Sequence, residues 1–203
     1  MTDFIKRVLS SIILFPLSLY FIHADSTQLL FFTIFCFIIS FLEWHKMVKS
    51  ISYKIIGFIF LFFSFYAFYE LAIEKIILIP LFICILTDLG GYIFGKIFKG
   101  PKLTKISPNK TYTGTIGSFF LSIVFISLYF NYLNYEITIR WIVIIILMSV
   151  VSQIGDITIS YFKRLSNIKD TGNIIPGHGG LLDRIDGMIF VFPIYYLIQL
   201  SGF

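Results

Sequence analysis

The chain has 203 residues, of which 58% are hydrophobic and 13% charged, and its mean hydropathy is +0.91. These values exclude an ordinary soluble domain and indicate an integral membrane protein. The formal net charge of +5 needs no nucleic-acid partner, because an excess of Lys and Arg on the cytoplasmic side is usual for membrane proteins.

Seven apolar runs follow one another along the chain, each near the roughly 17–25 residues that a membrane-spanning helix needs. The runs are Phe4–Phe21, Gln28–Trp44, Ile55–Leu71, Ile76–Phe94, Thr115–Tyr132, Ile139–Tyr161 and Leu181–Gln199. Because a segment in lipid must satisfy its own backbone hydrogen bonds, these runs predict an all-α, polytopic helical bundle with about seven transmembrane helices. No small-residue cleavage site follows the first run, so we interpret it as a helix and not as a signal peptide.

The basic residues fall on alternate connections between these runs. Of the 16 lysines and arginines, only Lys75 and Arg140 lie on the opposite side. This asymmetry predicts a cytoplasmic N-terminus and an external C-terminus. No long linker separates two parts of the chain, so residues 1–203 are expected to form a single membrane domain. Residues 1–75 would supply N-terminal hydrophobic helices, and residues 76–203 the catalytic helices and cytoplasmic loops.

Two cytoplasmic connections, Lys96–Gly114 and Lys163–Gly180, are long, basic and rich in Gly, Pro, Ser and Thr. We expect them to face a substrate. In the first, Ser107 and Thr111 stand among lysines just before a predicted helix, which suits a polyphosphate, although attraction of the loop to anionic lipid is equally compatible. In the second, His178 stands in a Pro-Gly-His-Gly-Gly run, where glycine allows the backbone to approach a ligand; the alternative is a histidine held by loop hydrogen bonds.

Four aspartates, Asp88, Asp156, Asp183 and Asp186, lie at the cytoplasmic ends of predicted spans. Asp156 belongs to a polar stripe on the sixth span, and the spacing of Asp183 and Asp186 points both carboxylates to the same side. Ionisable groups near lipid are costly and usually mark a site, and carboxylate oxygens suit Mg²⁺ bound together with substrate phosphates. The alternative is structural: Asp183 would favour a helix start, and Asp186 would pair with Arg184 or a lysine.

The segment from Ser160 to Asp186 reads Ser-x2-Lys-Arg-x4-Lys-Asp-x-Gly-x2-Ile-Pro-x-His-Gly-Gly-Leu-x-Asp-Arg-Ile-Asp. It closely resembles the signature of the phosphatidate cytidylyltransferases, the CDP-diacylglycerol synthases. The blocks around Asp88, Ser107–Thr111 and Asp156 resemble the other polar blocks of that family. The resemblance extends from Asp88 to the C-terminus, whereas the first three spans are similar only as hydrophobic helices.

The resemblance implies transfer of the cytidylyl group of CTP to phosphatidic acid, which yields CDP-diacylglycerol and pyrophosphate in phospholipid biosynthesis. It also implies a Mg²⁺ requirement, with a second, monovalent cation left open, and a site on the cytoplasmic side of the bacterial inner membrane. Relatives suggest a homodimer. Thr113 departs from the family pattern where Glu is common, and Ile159 departs from it where many members carry an acidic residue.

Residue roles follow from matching these motifs. Asp156 and Asp183 would be the principal metal ligands, with Asp186 and Asp88 as further ligands. The expected catalytic residues are Asp156, Asp183, Asp186, Lys163, Arg164 and His178. The expected substrate-binding residues are Ser107, Asn109, Lys110, Thr111, Lys169 and Arg184.

Other functions would share some of these features. A CTP-dependent lipid kinase, or a cytidylyltransferase for another lipid phosphate, would also need carboxylates and basic loops. The product separates the two chemistries, because a kinase releases CDP and a cytidylyltransferase releases pyrophosphate. A transporter is disfavoured, since the predicted charges gather at one face and do not line a path across the bilayer.

Overall fold

The computed structural model of the protein describes residues 12–13, 16–104, 106–177 and 179–202. Residues 16–23 are helical and are called α1. The helices that follow are α2 (Ser26–Met47), α3 (Ile51–Ile73), α4 (Leu78–Phe98), α5 (Tyr112–Tyr132), α6 (Ile139–Leu165), α7 (Leu182–Ile185) and α8 (Met188–Leu200). Within the described residues, extended pairing is limited to two isolated bridges, Lys102 with Thr111 and Ile175 with Gly179.

Five helices of the described chain, α2 to α6, are long and apolar enough to cross a membrane by length and composition. They correspond to the second to sixth predicted spans, and the prediction of an all-helical, polytopic membrane bundle is confirmed. Most of these helices extend past the apolar run that predicted them, because polar residues can continue a helix beyond the hydrocarbon. The first predicted span, Phe4–Phe21, lies largely outside the described residues. The total of seven spans and the orientation remain predictions.

The seventh predicted span, Leu181–Gln199, is not one uninterrupted helix. It is divided at Asp186 and Gly187 into the four-residue α7 and the 13-residue α8. The Asp186 carboxylate accepts a hydrogen bond from the Gly187 N–H at 2.9 Å. A Cβ on Gly187 would lie 2.5 Å from the Ser152 hydroxyl of α6, so only glycine allows this close approach. Three charged residues lie within positions 183–187, so the apolar composition is interrupted where the helix breaks.

A proline inside α8 ties this helix to α3. Pro193 has no N–H, so the carbonyl of Ile189 lacks its usual helical partner. The hydroxyl of Ser64 in α3 donates to that carbonyl at 2.6 Å. The interhelical bond therefore satisfies a buried acceptor that the sequence of α8 leaves open, as lipid-embedded structure requires.

Helices α4 and α5 pack closely through glycine. A Cβ on Gly90 would lie 2.7 Å from the Gly117 carbonyl oxygen, and a Cβ on Gly114 would lie 2.7 Å from the Gly91 carbonyl oxygen. Small residues of this kind allow helix backbones in a membrane to approach one another. The close pair forms two walls of the cavity described below.

Three connections meet at one end of the bundle, which we call the site end. The Ser166 hydroxyl after α6 donates to the Met47 carbonyl at the end of α2, at 2.6 Å. Lys110, before α5, forms an ion pair with Asp156 of α6. The connections that the charge pattern placed on one face of the membrane are therefore neighbours in the fold.

Candidate active site

A cavity of about 310 Å³ lies at the site end between α4, α5 and α6. Hydroxyl, amide, ammonium and carboxylate groups line it. The lining includes six residues predicted from the sequence: Asp88, Ser107, Asn109, Lys110, Thr111 and Asp156. The fourth span, the first long loop and the sixth span thus contribute to one polar chamber.

The loop between α4 and α5 folds back on itself and places Lys110 in the cavity. The Leu103 N–H donates to the Lys110 carbonyl at 2.7 Å, and the Tyr112 N–H donates to the Pro101 carbonyl at 3.0 Å. The Lys110 ammonium lies 2.6 Å from a carboxylate oxygen of Asp156 and donates to the Gln153 carbonyl at 3.3 Å. These two contacts therefore hold the long Lys110 side chain at the cavity wall formed by α6.

Threonines order the start of α5. The Thr111 hydroxyl accepts from the Gly114 N–H at 3.1 Å, which caps the helix. The same hydroxyl lies 3.1 Å from that of Thr113, which in turn accepts from the Gly100 N–H at 3.2 Å. Thr113, where the family commonly has Glu, thus joins the two ends of the loop. Ile159, the other departure, is 2% exposed and packs in an apolar cluster.

Three carboxylates interact electrostatically across the site. Asp156 repels both Asp88 and Asp186, and Asp88 and Asp186 also repel one another. The Ser160 hydroxyl donates to Asp156 at 3.2 Å. Asp88 accepts no hydrogen bond from a described residue, although Lys110 and Arg184 attract it at longer range. Neighbouring carboxylates with spare acceptor capacity form a favourable environment for a cation.

The described residues contain no group of three His, Cys, Asp or Glu side chains close enough to hold a metal ion alone. Mg²⁺ does not require such a group, because one or two carboxylates suffice when substrate phosphates and water complete its octahedral shell. The carboxylate oxygens of Asp156, Asp186 and Asp88 are the type of ligand that Mg²⁺ prefers.

Asp183, three residues before Asp186, is placed differently. One carboxylate oxygen accepts from the Lys163 ammonium at 2.8 Å, and the other accepts from the N–H groups of Thr171 and Gly180 at 2.7 and 2.9 Å. The Asp183 side chain is 3% exposed. Burial by itself would raise the pKa of Asp183, but these hydrogen bonds lower it below the usual aspartate value. A metal ion at Asp183 would have to replace at least one of these donors.

The remaining predicted residues lie around the loop between α6 and α7. Arg164, Lys169 and Arg184 are exposed, and Arg164 donates to the Ile168 carbonyl of the same loop at 3.2 Å. None of the three lines the cavity. His178 lies outside the described residues, so its predicted role near phosphates stays a prediction.

Residues 50–201 match the family model described as the Cytidylyltransferase family. The chain belongs to this family. A phosphatidate cytidylyltransferase of Staphylococcus aureus is 39% identical over 170 residues, covering 80% of this chain and 62% of that protein. A phosphatidate cytidylyltransferase of Rickettsia prowazekii is 41% identical over 171 residues, covering 78% of this chain and 75% of that protein. The chain therefore matches less than two thirds of the length of the Staphylococcus aureus relative.

Gln153 and Glu43 are among the polar residues of this cytidylyltransferase-family site that were not predicted from the sequence. Gln153 lines the cavity, and its side-chain oxygen accepts from the Thr115 hydroxyl at 2.9 Å, whereas its buried amide nitrogen has no partner among the described residues. Its position three residues before Asp156, as the one amide in an apolar run, was a usable signal. Glu43 of α2 is 3% exposed and contacts the loop before α7. No sequence pattern links residues so far apart.

Proposed function

We propose that the protein transfers the cytidylyl group of CTP to phosphatidic acid, forming CDP-diacylglycerol and pyrophosphate at the cytoplasmic side of a bacterial inner membrane. The observation that carries this proposal is the polar cavity at one end of a membrane bundle, with Lys110 and Asp156 on its walls. Membership of the cytidylyltransferase family and the names of its relatives support it.

The nucleotide would occupy the cavity between α4, α5 and α6. A triphosphate carries several negative charges, and the Lys110 ammonium, already held at the wall, can move from Asp156 to a phosphate oxygen. Ser107 and Asn109 supply further hydrogen-bonding groups from the same loop. A preorganised set of donors around developing charge is the main source of stabilisation in such transfers.

Asp156, with Asp186 or Asp88 as a second ligand, would hold Mg²⁺ together with substrate phosphates and water. The ion, when bound, would neutralise phosphate charge and favour departure of pyrophosphate. Asp156 is taken as the central member of the group because its carboxylate forms the ion pair with Lys110 on the cavity wall. Asp183 would contribute by holding Lys163 and the loop before α7 in position.

The lipid phosphate would approach from the loop between α6 and α7, where Lys169 and Arg184 are exposed. An oxygen of this phosphate attacks the α-phosphorus of CTP, a new P–O bond forms, and the bond to the β-phosphate oxygen breaks. The nucleophile is already anionic, so it needs alignment and charge neutralisation more than a general base.

The test is pyrophosphate release by the purified full chain in detergent, with CTP, phosphatidic acid and Mg²⁺ each omitted in turn. We expect release only when all three are present, with CDP-diacylglycerol as the lipid product. Release of CDP with a phosphorylated lipid would replace the proposal with the lipid-kinase alternative. Pyrophosphate release without lipid would refute it.

A further inference from the structure

Helix α2 lies before the residues that match the family model, which begin at residue 50, yet the Glu43 carboxylate near the end of α2 contacts the loop before α7. Glu43 is 3% exposed and forms no ion pair with a described residue. A buried carboxylate is costly unless hydrogen bonds satisfy its oxygens. The hydrogen-bond partners of Glu43 therefore indicate which part of the structure the buried carboxylate stabilises.

The three hydrogen bonds that the Glu43 carboxylate accepts from described residues come from the two ends of one loop. Its Oε1 atom accepts from the Leu181 N–H at 2.9 Å, and its Oε2 atom accepts from the Leu182 N–H at 2.8 Å. The Thr171 hydroxyl donates to Oε2 at 3.0 Å. The carboxylate thus joins residues 171 and 181–182, which are ten residues apart in sequence.

The same loop ends also hold Asp183. Thr171 donates its hydroxyl to Glu43 and its backbone N–H to Asp183. The Gly180 N–H donates to Asp183, and the next two N–H groups donate to Glu43. Glu43 and Asp183 therefore accept hydrogen bonds from the same two loop ends, and Asp183 also forms an ion pair with Lys163 of α6.

Two glycines of the loop leave space for the Glu43 side chain. A Cβ on Gly180 would lie 2.5 Å from a Glu43 carboxylate oxygen, and a Cβ on Gly172 would lie 2.8 Å from the other. These distances are too short for ordinary contacts. The loop is closely fitted around the carboxylate and does not merely touch it.

We propose that Glu43 is a positioning residue, which fixes the loop between α6 and α7 and so holds Asp183, Lys163 and the cations of that loop at the site end, beside the nucleotide cavity. This inference rests on the proposed function for its effect on turnover, whereas its structural part stands on the contacts alone. Glu43 acts through the loop and does not itself line the cavity.

The test compares Glu43→Gln with Glu74→Gln, the same chemical change at an exposed site outside the cavity. Hydrogen exchange of the full chain in detergent is measured peptide by peptide. The glutamine amide group presents a donor to N–H and hydroxyl donors, so we expect about tenfold faster exchange over residues 170–182. Exchange in α4, α5 and α6 should stay unchanged, and Glu74→Gln should match the parent chain throughout.

Turnover supplies the second measurement. We expect Glu43→Gln to lower kcat for pyrophosphate release about tenfold, with less than about a twofold change in KM for CTP, because the cavity walls come from other elements. Thr171→Val should lower kcat less, and Thr171→Ser should restore it by returning the hydroxyl. If kcat is restored by serine, the loss in the valine variant comes from the missing hydroxyl and not from a smaller amount of folded protein.

Each outcome decides the proposal. Unchanged exchange over residues 170–182 in Glu43→Gln would overturn it, as would faster exchange spread equally through α4, α5 and α6. Faster loop exchange with unchanged kcat would refute the positioning role.

If Glu43→Gln does not insert into the membrane, the Thr171 variants decide. Equal exchange in Thr171→Val and Thr171→Ser overturns the proposal, and faster exchange in the valine variant alone supports it. If the parent chain releases no pyrophosphate, the proposed function fails, and loop exchange still decides the contact role.

Discussion

Asp183 and Asp186 are three residues apart, yet the structure gives them opposite surroundings. Both carboxylate oxygens of Asp183 accept hydrogen bonds, from the Lys163 ammonium and from two backbone N–H groups. Among the described residues, Asp186 accepts one backbone hydrogen bond, and it lies near two other carboxylates and the Lys163 ammonium. A carboxylate whose oxygens are all occupied organises structure, and one that keeps spare capacity beside like charges is suited to a cation. We call the loop before α7 with Asp183 and Lys163 the rigid side of the site. We call the cavity with its carboxylates Asp88, Asp156 and Asp186 the receptive side.

The largest expected effect comes from the receptive side. Asp156→Asn should lower kcat/KM for pyrophosphate release about a thousandfold, or about 4 kcal/mol, because it removes charge from the centre of the carboxylate group. The exposed Asp25→Asn variant is the matched control and should retain parent activity. Activity within about threefold of the parent would show that Asp156 is not the central metal-binding carboxylate.

The rigid side should respond in stability. Asp183→Asn leaves the buried Lys163 ammonium facing an amide group, which should destabilise the protein by about 3 kcal/mol. Adding Lys163→Met removes the uncompensated charge, so the double variant should melt at a higher temperature than Asp183→Asn alone. Thermal unfolding in detergent, followed by the fluorescence of Trp44 and Trp141, measures both.

Additive destabilisation in the double variant would contradict this pairing of Lys163 with Asp183, because independent sites add and a buried ion pair does not. Neither variant is expected to be active. The comparison therefore relies on unfolding temperature and not on turnover.

The receptive side was the more predictable of the two. The bounds of the predicted spans and the charge pattern placed Asp88 and Asp156 at the same side of the membrane, and the loop with Lys110 was recognised from its basic, hydroxyl-rich composition. These are local patterns, and the cavity needs only that α4, α5 and α6 be neighbours. The positive-inside rule had already placed their ends on one side.

The rigid side depends on long-range contacts that no local pattern contains. Periodicity placed Asp183 and Asp186 on one face, but the break at Gly187 and donors from residues 171 and 180 give them different partners. Glu43 reaches this loop across more than 120 positions of sequence. Only the packed arrangement of α2 against the end of α6 brings them together.

The smallest expected effect concerns Gln153 on the receptive side. Its buried nitrogen has no partner among the described residues, and a substrate oxygen in the cavity would satisfy it. Gln153→Leu should therefore raise KM for CTP about tenfold, near 1.4 kcal/mol, with kcat almost unchanged. Thermal stability should not fall, since an unsatisfied donor is removed and the Thr115 hydroxyl retains the Thr111 carbonyl as an acceptor.

The control is Gln28→Leu, the same substitution at an exposed site. A lowered kcat with unchanged KM would instead place Gln153 with the residues that align the reacting phosphates, and would remove it from the ground-state nucleotide site.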